Sequence, residues 1–139
     1  MLNKIYINAD GGSRGNPGPG AIGVTIRDSK NNYLVFHKEF IGKATNNAAE
    51  YRALVKSLEL ASKFTNKEVN LFMDSELIIR QMKGEYKVTA GNLVLFFMKA
   101  KKLEKNFEKV NYKHVRREDK FQSKADALVN EALDARELK

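Results

Sequence analysis

Cysteine is absent from the 139 residues, which excludes a disulfide framework, a thiolate metal site and a cysteine nucleophile. Histidine is scarce as well: His37 and His114 stand far apart and make no zinc-ligand pair. No apolar run approaches the roughly 18 residues of a membrane span, and the opening MLNKIYINAD enters a strand pattern without a signal-peptide core. The expectation is a cytoplasmic protein with no membrane partner. No internal repeat, linker or low-complexity tract divides the chain, so residues 1–139 are expected to form a single domain and to act as a monomer. A chain of this length can bury about two-thirds of its unfolded surface, so no covalent staple is needed.

What is plentiful is positive charge. Lys and Arg number 25 against 17 Asp and Glu, a formal charge of +8, which suits a polyanionic partner. The basic residues gather at Lys99, Lys101, Lys102, Lys105 and Lys109, and again at Lys113, Arg116, Arg117 and Lys120. Glycine also clusters, in GPGAIG at 18–23, which matches the G-x-G-x-x-G dinucleotide fingerprint. That fingerprint needs a helix opening at its last glycine, whereas Val24 and Ile26 continue a period-2 pattern and Pro19 lacks a backbone N–H. A second strand is expected there, and no dinucleotide cofactor.

Period-2 patterns place strands at 4–9, 21–28, 33–40, 69–73 and 110–115, with Ser29 to Asn32 as the turn between the second and third. Helical periodicity places helices at 47–63, 76–82, 92–107 and 123–137. Three strands joined by short turns, followed by strand-helix units, predict an α/β fold: a five-stranded mixed sheet, three antiparallel strands first, flanked by helices.

Four acids stand at element ends, and each has a plain structural reading. Asp10-Gly11 is an ordinary turn pair; Asn47-x-x-Glu50 and Ser123-x-x-Asp126 fit capping boxes; Asp74 fits a helix N-cap. If the first and fourth strands are parallel neighbours, however, Asp10 and Asp74 emerge side by side at their carboxyl ends, where open α/β sheets place ligands. Glu50 and Asp126, each early in its helix, can face the same point. Four crowded carboxylates repel one another unless cations neutralise them, and hard oxygen ligands suit Mg²⁺ or Mn²⁺. Two such ions support in-line phosphodiester displacement.

The segments NADGGSRGNPGPGAIG, TNNAAEYRALVKSLE, MDSELIIRQMKGEYKV and HVRREDKFQSKADALVNEAL together resemble ribonuclease H of type 1, in its compact archaeal and bacterial branch. The resemblance covers nearly the whole chain in order. It implies the RNase H-like fold, an endonuclease that hydrolyses the RNA strand of RNA/DNA hybrids, and a two-metal site of Asp10, Glu50, Asp74 and Asp126 holding Mg²⁺ or Mn²⁺. It further implies that Gly11, Gly12, Ser13 and Asn16 form a turn against the RNA strand, that Asn46 and Asn47 touch the minor groove, and that Thr45 and Asn92 hold a phosphate of the DNA strand. Three departures from the family pattern stand out. No histidine precedes the last acid in the product-release loop, where Arg116 or Arg117 is the candidate substitute; Gln122 replaces an asparagine four residues before Asp126; and the basic protrusion of some bacterial members is missing, GEYKVTAGNL being a short connection. Two alternatives remain: a non-catalytic nucleic-acid-binding module on this fold, and a same-fold nuclease acting on double-stranded RNA or RNA–DNA junctions.

Overall fold

In the computed structural model residues 1–137 are described; Leu138 and Lys139, the last positions of the expected 1–139 domain, lie outside the described residues. The elements run β1 (Lys4–Ser13), β2 (Gly18–Arg27), β3 (Tyr33–Ala44), α1 (Asn46–Ala61), β4 (Glu68–Met73), α2 (Glu76–Met82), α3 (Gly91–Glu104), β5 (Lys109–His114) and α4 (Gln122–Glu137). The five strands form one sheet in the order β3-β2-β1-β4-β5. β1 pairs antiparallel with β2 and parallel with β4, so the strand that carries Asp10 and the one that Asp74 follows are neighbours, which meets the condition set by the sequence. β2–β3 is antiparallel and β4–β5 parallel.

Alternation along β1 assigns its two faces. Ile5, Ile7 and Ala9 join the main core with Tyr51, Leu54 and Leu58 of α1, while α4 covers the other face, where Ala21 packs with Val129, Ala132 and Leu133. β2 lies between both layers, which explains why nearly every residue in it is buried rather than every second one.

Several boundaries differ from the sequence expectation. β1 continues through Gly11, Gly12 and Ser13, which pair with Ile22, Ala21 and Gly20, so these residues lie in a strand and not in a turn. The GPGAIG segment lies wholly within β2, and close packing accounts for two of its glycines: a Cβ on Gly18 would fall 2.2 Å from the Arg14 carbonyl oxygen, and one on Gly23 would fall 2.3 Å from that of Ala125 in α4. α3 stops at Glu104, and Phe107 is buried in the connection that follows.

Candidate active site

None of the four acids does the plain structural work the sequence allowed it. α1 is capped by Thr45, whose hydroxyl accepts from Ala48 N–H at 3.1 Å, so Asn47 is not the cap. Glu50 does not reach back along its helix; its Oε1 accepts the N–H of Gly11, across in β1. α2 is capped by Ser75, one residue after Asp74. At α4, Asp119 Oδ1 accepts from the N–H groups of Phe121 (3.0 Å) and Gln122 (3.1 Å), about two turns before Asp126. Asp10 stands inside β1 opposite Gly23 and makes no turn.

The acids converge instead. One carboxylate oxygen from each of Asp10, Glu50 and Asp74 lies within 4.8 Å of the other two. Asp126 joins the same cleft from α4 but stands outside that tight group. Gly11, Gly12, Ser13 and Asn46 also line the cleft, together with Arg14, Arg117 and Asn130. Asn16 supports it from behind: its Oδ1 accepts the Asn46 N–H at 3.0 Å, tying the β1–β2 hairpin to the start of α1. Asn47 and Asn92 are exposed early in α1 and α3 and do not line the cleft, and the Thr45 hydroxyl is engaged as the cap.

Burial makes the cluster costly without cations. Asp10 and Glu50 are 5% and 4% exposed. Desolvation first, then the Asp74 charge, pushes the Asp10 carboxyl up to about 8. Desolvation, followed by Asp10 and Asp74, holds Glu50 well above the ordinary carboxylate range, and the Gly11 N–H offsets only part of that. Arg117 is the cation that reaches the acids: its Nε lies 3.5 Å from Asp74 Oδ2, and Asp74, then Asp126, raise the guanidinium further. Three or four hard oxygen donors, two of them buried and starved of positive charge, fit a divalent cation of the Mg²⁺ type and fit a soft metal poorly.

A pH dependence follows. An acid whose folded pKa is raised binds its proton more tightly when folded, so its contribution is fully present below the unfolded pKa of about 3.9 and is lost as pH rises through about 8. In chelator, Tm should fall by at least several degrees between pH 5 and pH 9, and millimolar Mg²⁺ or Mn²⁺ should recover much of the loss at pH 9. A metal-free melting curve insensitive to pH over this range would contradict the burial argument.

Arg14 and Asn130 were not marked as site residues by sequence pattern, whereas Arg117 was one of the two candidates for the missing histidine. Arg14 Nη2 and Nη1 meet Asp134 and Glu137 at 2.7 Å each, and Nη2 also donates to Asn130 Oδ1 at 3.2 Å, locking the hairpin to the end of α4. The basic run at 113–120 and the position before the last acid signalled Arg117.

Comparison with known proteins agrees with this geometry. The family model described as "Reverse transcriptase-like" matches residues 8–132. The N-terminal RNase H domain of a Mycobacterium tuberculosis protein superposes with a TM-score of 0.90 at 41% identity, over 95% of this chain and 94% of that one. RNase H1 from Halobacterium salinarum gives 0.89 at 36% identity, over 95% and 98%. LC11-RNase H1, solved in complex with an RNA/DNA hybrid, gives 0.87 at 44% identity, over 94% and 97%. The chain spans 36% of the length of the curated bifunctional M. tuberculosis protein it matches and 65% of the H. salinarum Ribonuclease HI. None of the described helices is long and apolar enough to cross a membrane.

Proposed function

Because the chain belongs to the reverse transcriptase-like family, among the type 1 ribonucleases H, we propose that it is an endonuclease hydrolysing the RNA strand of RNA/DNA hybrids. The observation that carries this reading is the convergence of Asp10, Glu50 and Asp74 within 4.8 Å at the carboxyl ends of β1 and β4. A module that only bound phosphates would gain nothing from buried carboxylates facing its ligand. Two Mg²⁺ or Mn²⁺ ions, when bound, supply an activated water and stabilise the leaving oxygen.

In this reading Asp10 and Asp74 would anchor the metals, Glu50 would hold one of them and contact the 2′-hydroxyl beside the scissile phosphate, and Asp126 would complete the second position. Gly12 and Ser13 lie where a hybrid's wide, shallow minor groove would approach, and the buried Ser13 Oγ has no hydrogen-bond partner among the described residues. Asn46, held by Asn16, borders the same cleft. Asn47, Thr45 and Asn92 would contact the duplex further out. Lysines supply salt-sensitive backbone affinity. The proposed unit is one monomeric RNase H domain acting in the cytoplasm.

The test is a hybrid labelled on the RNA strand, incubated with Mg²⁺ or Mn²⁺ beside an EDTA control, double-stranded RNA and an RNA–DNA junction. Metal-dependent internal cuts in the hybrid support the reading; cuts confined to double-stranded RNA or to the junction transfer the site to that substrate. Intact RNA despite hybrid binding returns the protein to the binding-module class.

Arg117 takes the place of the missing product-release histidine in this proposal. Its side chain is 71% exposed and reaches Asp74 from the loop before α4, so it can follow a phosphate leaving the cleft. Arg117→Ala should lower kcat about tenfold with little change in KM, and Arg117→Lys should recover part of it. An unchanged kcat would remove Arg117 from the reaction.

A further inference from the structure

Asp126 is the acid carried by α4. It lies half-buried in the second turn of α4, with Asn130 Nδ2 at 3.5 Å from its carboxylate, so its position depends on how the start of α4 is seated. That seat is polar and buried. Gln122, the first residue of α4, is wholly inaccessible; its Nε2 donates to the Ala9 carbonyl at 2.9 Å and its Oε1 accepts from Asn8 Nδ2 at 2.9 Å. Asn8 is itself 1% exposed, and its Oδ1 accepts from Arg27 Nη2 at 3.3 Å. Arg27 is 5% exposed, donates to Asn31 Oδ1 at 2.7 Å, and stacks its guanidinium 3.5 Å over the Phe121 ring.

The chain of contacts therefore runs from β2, through β1, into the first turn of α4, and touches the backbone at the residue next to Asp10. Burial lowers the Arg27 pKa, a sign that the guanidinium is held there at a cost. An apolar set of the same volume would pack this face without desolvating a cation and an amide pair, but would leave the Ala9 carbonyl without its donor. What the polar set adds is direction: each amide contact fixes both distance and angle, which apolar packing does not.

We propose that Gln122 is a positioning residue: with Asn8 and Arg27 it fixes the first turn of α4 to the backbone beside Asp10, and so sets the reach of Asp126 toward a divalent cation held by the acidic cluster. The inference rests on the metal-dependent nuclease reading above. It also accounts for a departure from the family pattern, since the longer glutamine side chain bridges Asn8 and the Ala9 carbonyl at once.

The test compares wild type with Gln122→Asn, which keeps the amide but shortens it by one methylene, and with Gln122→Leu. Mn²⁺ binding is measured by calorimetry without substrate, Tm by thermal melting, and kcat and KM on the hybrid, each also in an Asp126→Asn background. Gln122→Asn should stay folded, weaken apparent Mn²⁺ affinity about tenfold, and lower kcat at limiting metal while KM for the hybrid holds. Excess Mn²⁺ should restore the rate. In the Asp126→Asn background the glutamine substitution should change Mn²⁺ affinity no further.

A lowered Tm with an unchanged Mn²⁺ isotherm in Gln122→Asn would overturn the proposal and leave Gln122 a stabilising contact only. Effects that multiply in the double variant would overturn it too. Gln122→Leu leaves Asn8 and the Ala9 carbonyl unpaired, so if it does not fold, Gln122→Asn alone decides. The two readings fail separately: a wild type that cuts hybrids while Gln122→Asn binds Mn²⁺ normally refutes the positioning role alone. A wild type that never cuts, with the Mn²⁺ affinity shifted as expected, refutes only the nuclease.

Discussion

Asp10→Asn should abolish cleavage of the hybrid, by about a thousandfold or more, and at the same time raise the Tm of the metal-free protein at pH 9. The two effects share one cause. Asp10 is buried at the centre of the acidic group, where desolvation and the charges of Asp74 and Asp126 oppose its ionisation. Asparagine keeps the shape and the β1–β2 pairing with Gly23 but cannot ionise, so the alkaline cost of folding disappears and the upward push of Asp10 on Glu50 goes with it. In the proposed reading the same neutrality removes an anionic metal ligand, and no remaining side chain in the cleft replaces it. Hybrid binding should persist or tighten, because one negative charge facing phosphates is gone. Activity measured with saturating Mg²⁺ and Mn²⁺, hybrid affinity in Ca²⁺, and melting curves in chelator test all three parts. Cleavage within tenfold of wild type would displace Asp10 from the reaction. A lower Tm at pH 9 would show that the carboxylate stabilises the fold instead of straining it.

Strand and helix positions along the chain were legible because periodicity marks them: β4 buries every second residue and β1 begins the same way, while β2 is buried almost throughout. The convergence of the acids was legible only as a conditional: it followed if β1 and β4 were parallel neighbours, which they are. Capping was not legible. Asn47-x-x-Glu50 and Ser123-x-x-Asp126 satisfy the capping pattern, yet Thr45 and Asp119 do the capping, and Asp119-x-x-Gln122 is an equally good match one turn earlier that went unread. Local pattern cannot choose between frames a turn apart when the choice depends on which side chain the sheet needs. Gln122 was legible as a departure, but its partners Asn8 and Ala9 lie 114 and 113 positions away, and no periodicity links them. Arg14 escaped for the same reason, since Asp134 and Glu137 meet it only once α4 has crossed the sheet.

The glycines after Asp10 were expected to be small for the substrate's sake, and packing separates them into two kinds. A Cβ on Gly11 would fall 2.2 Å from the Ala49 carbonyl oxygen and 2.6 Å from the Glu50 nitrogen, both backbone atoms of α1. Neither can turn aside as a side chain would, so Gly11→Ala must push α1 off β1. α1 carries Tyr51, Leu54 and Leu58 into the core, and Gly11 N–H is the donor that orients Glu50. The expected cost is about 3 kcal/mol or more, a fall in Tm of roughly 10 °C, with cleavage lost as Glu50 moves. Gly12 differs: its added Cβ would meet only side-chain atoms at ordinary contact distance, Val129 Cγ1 at 3.5 Å and Asn46 Oδ1 at 3.9 Å, on a residue that lines the cleft. Gly12→Ala should therefore melt within about 2 °C of wild type while raising KM for the hybrid several-fold, because in the proposed reading the methyl group stands where the minor groove would approach. Measuring Tm and KM for both variants separates the roles. If Gly11→Ala melts like wild type, the contact between α1 and β1 is looser than the structure requires; if Gly12→Ala leaves KM unchanged, the hybrid does not approach β1 at this point.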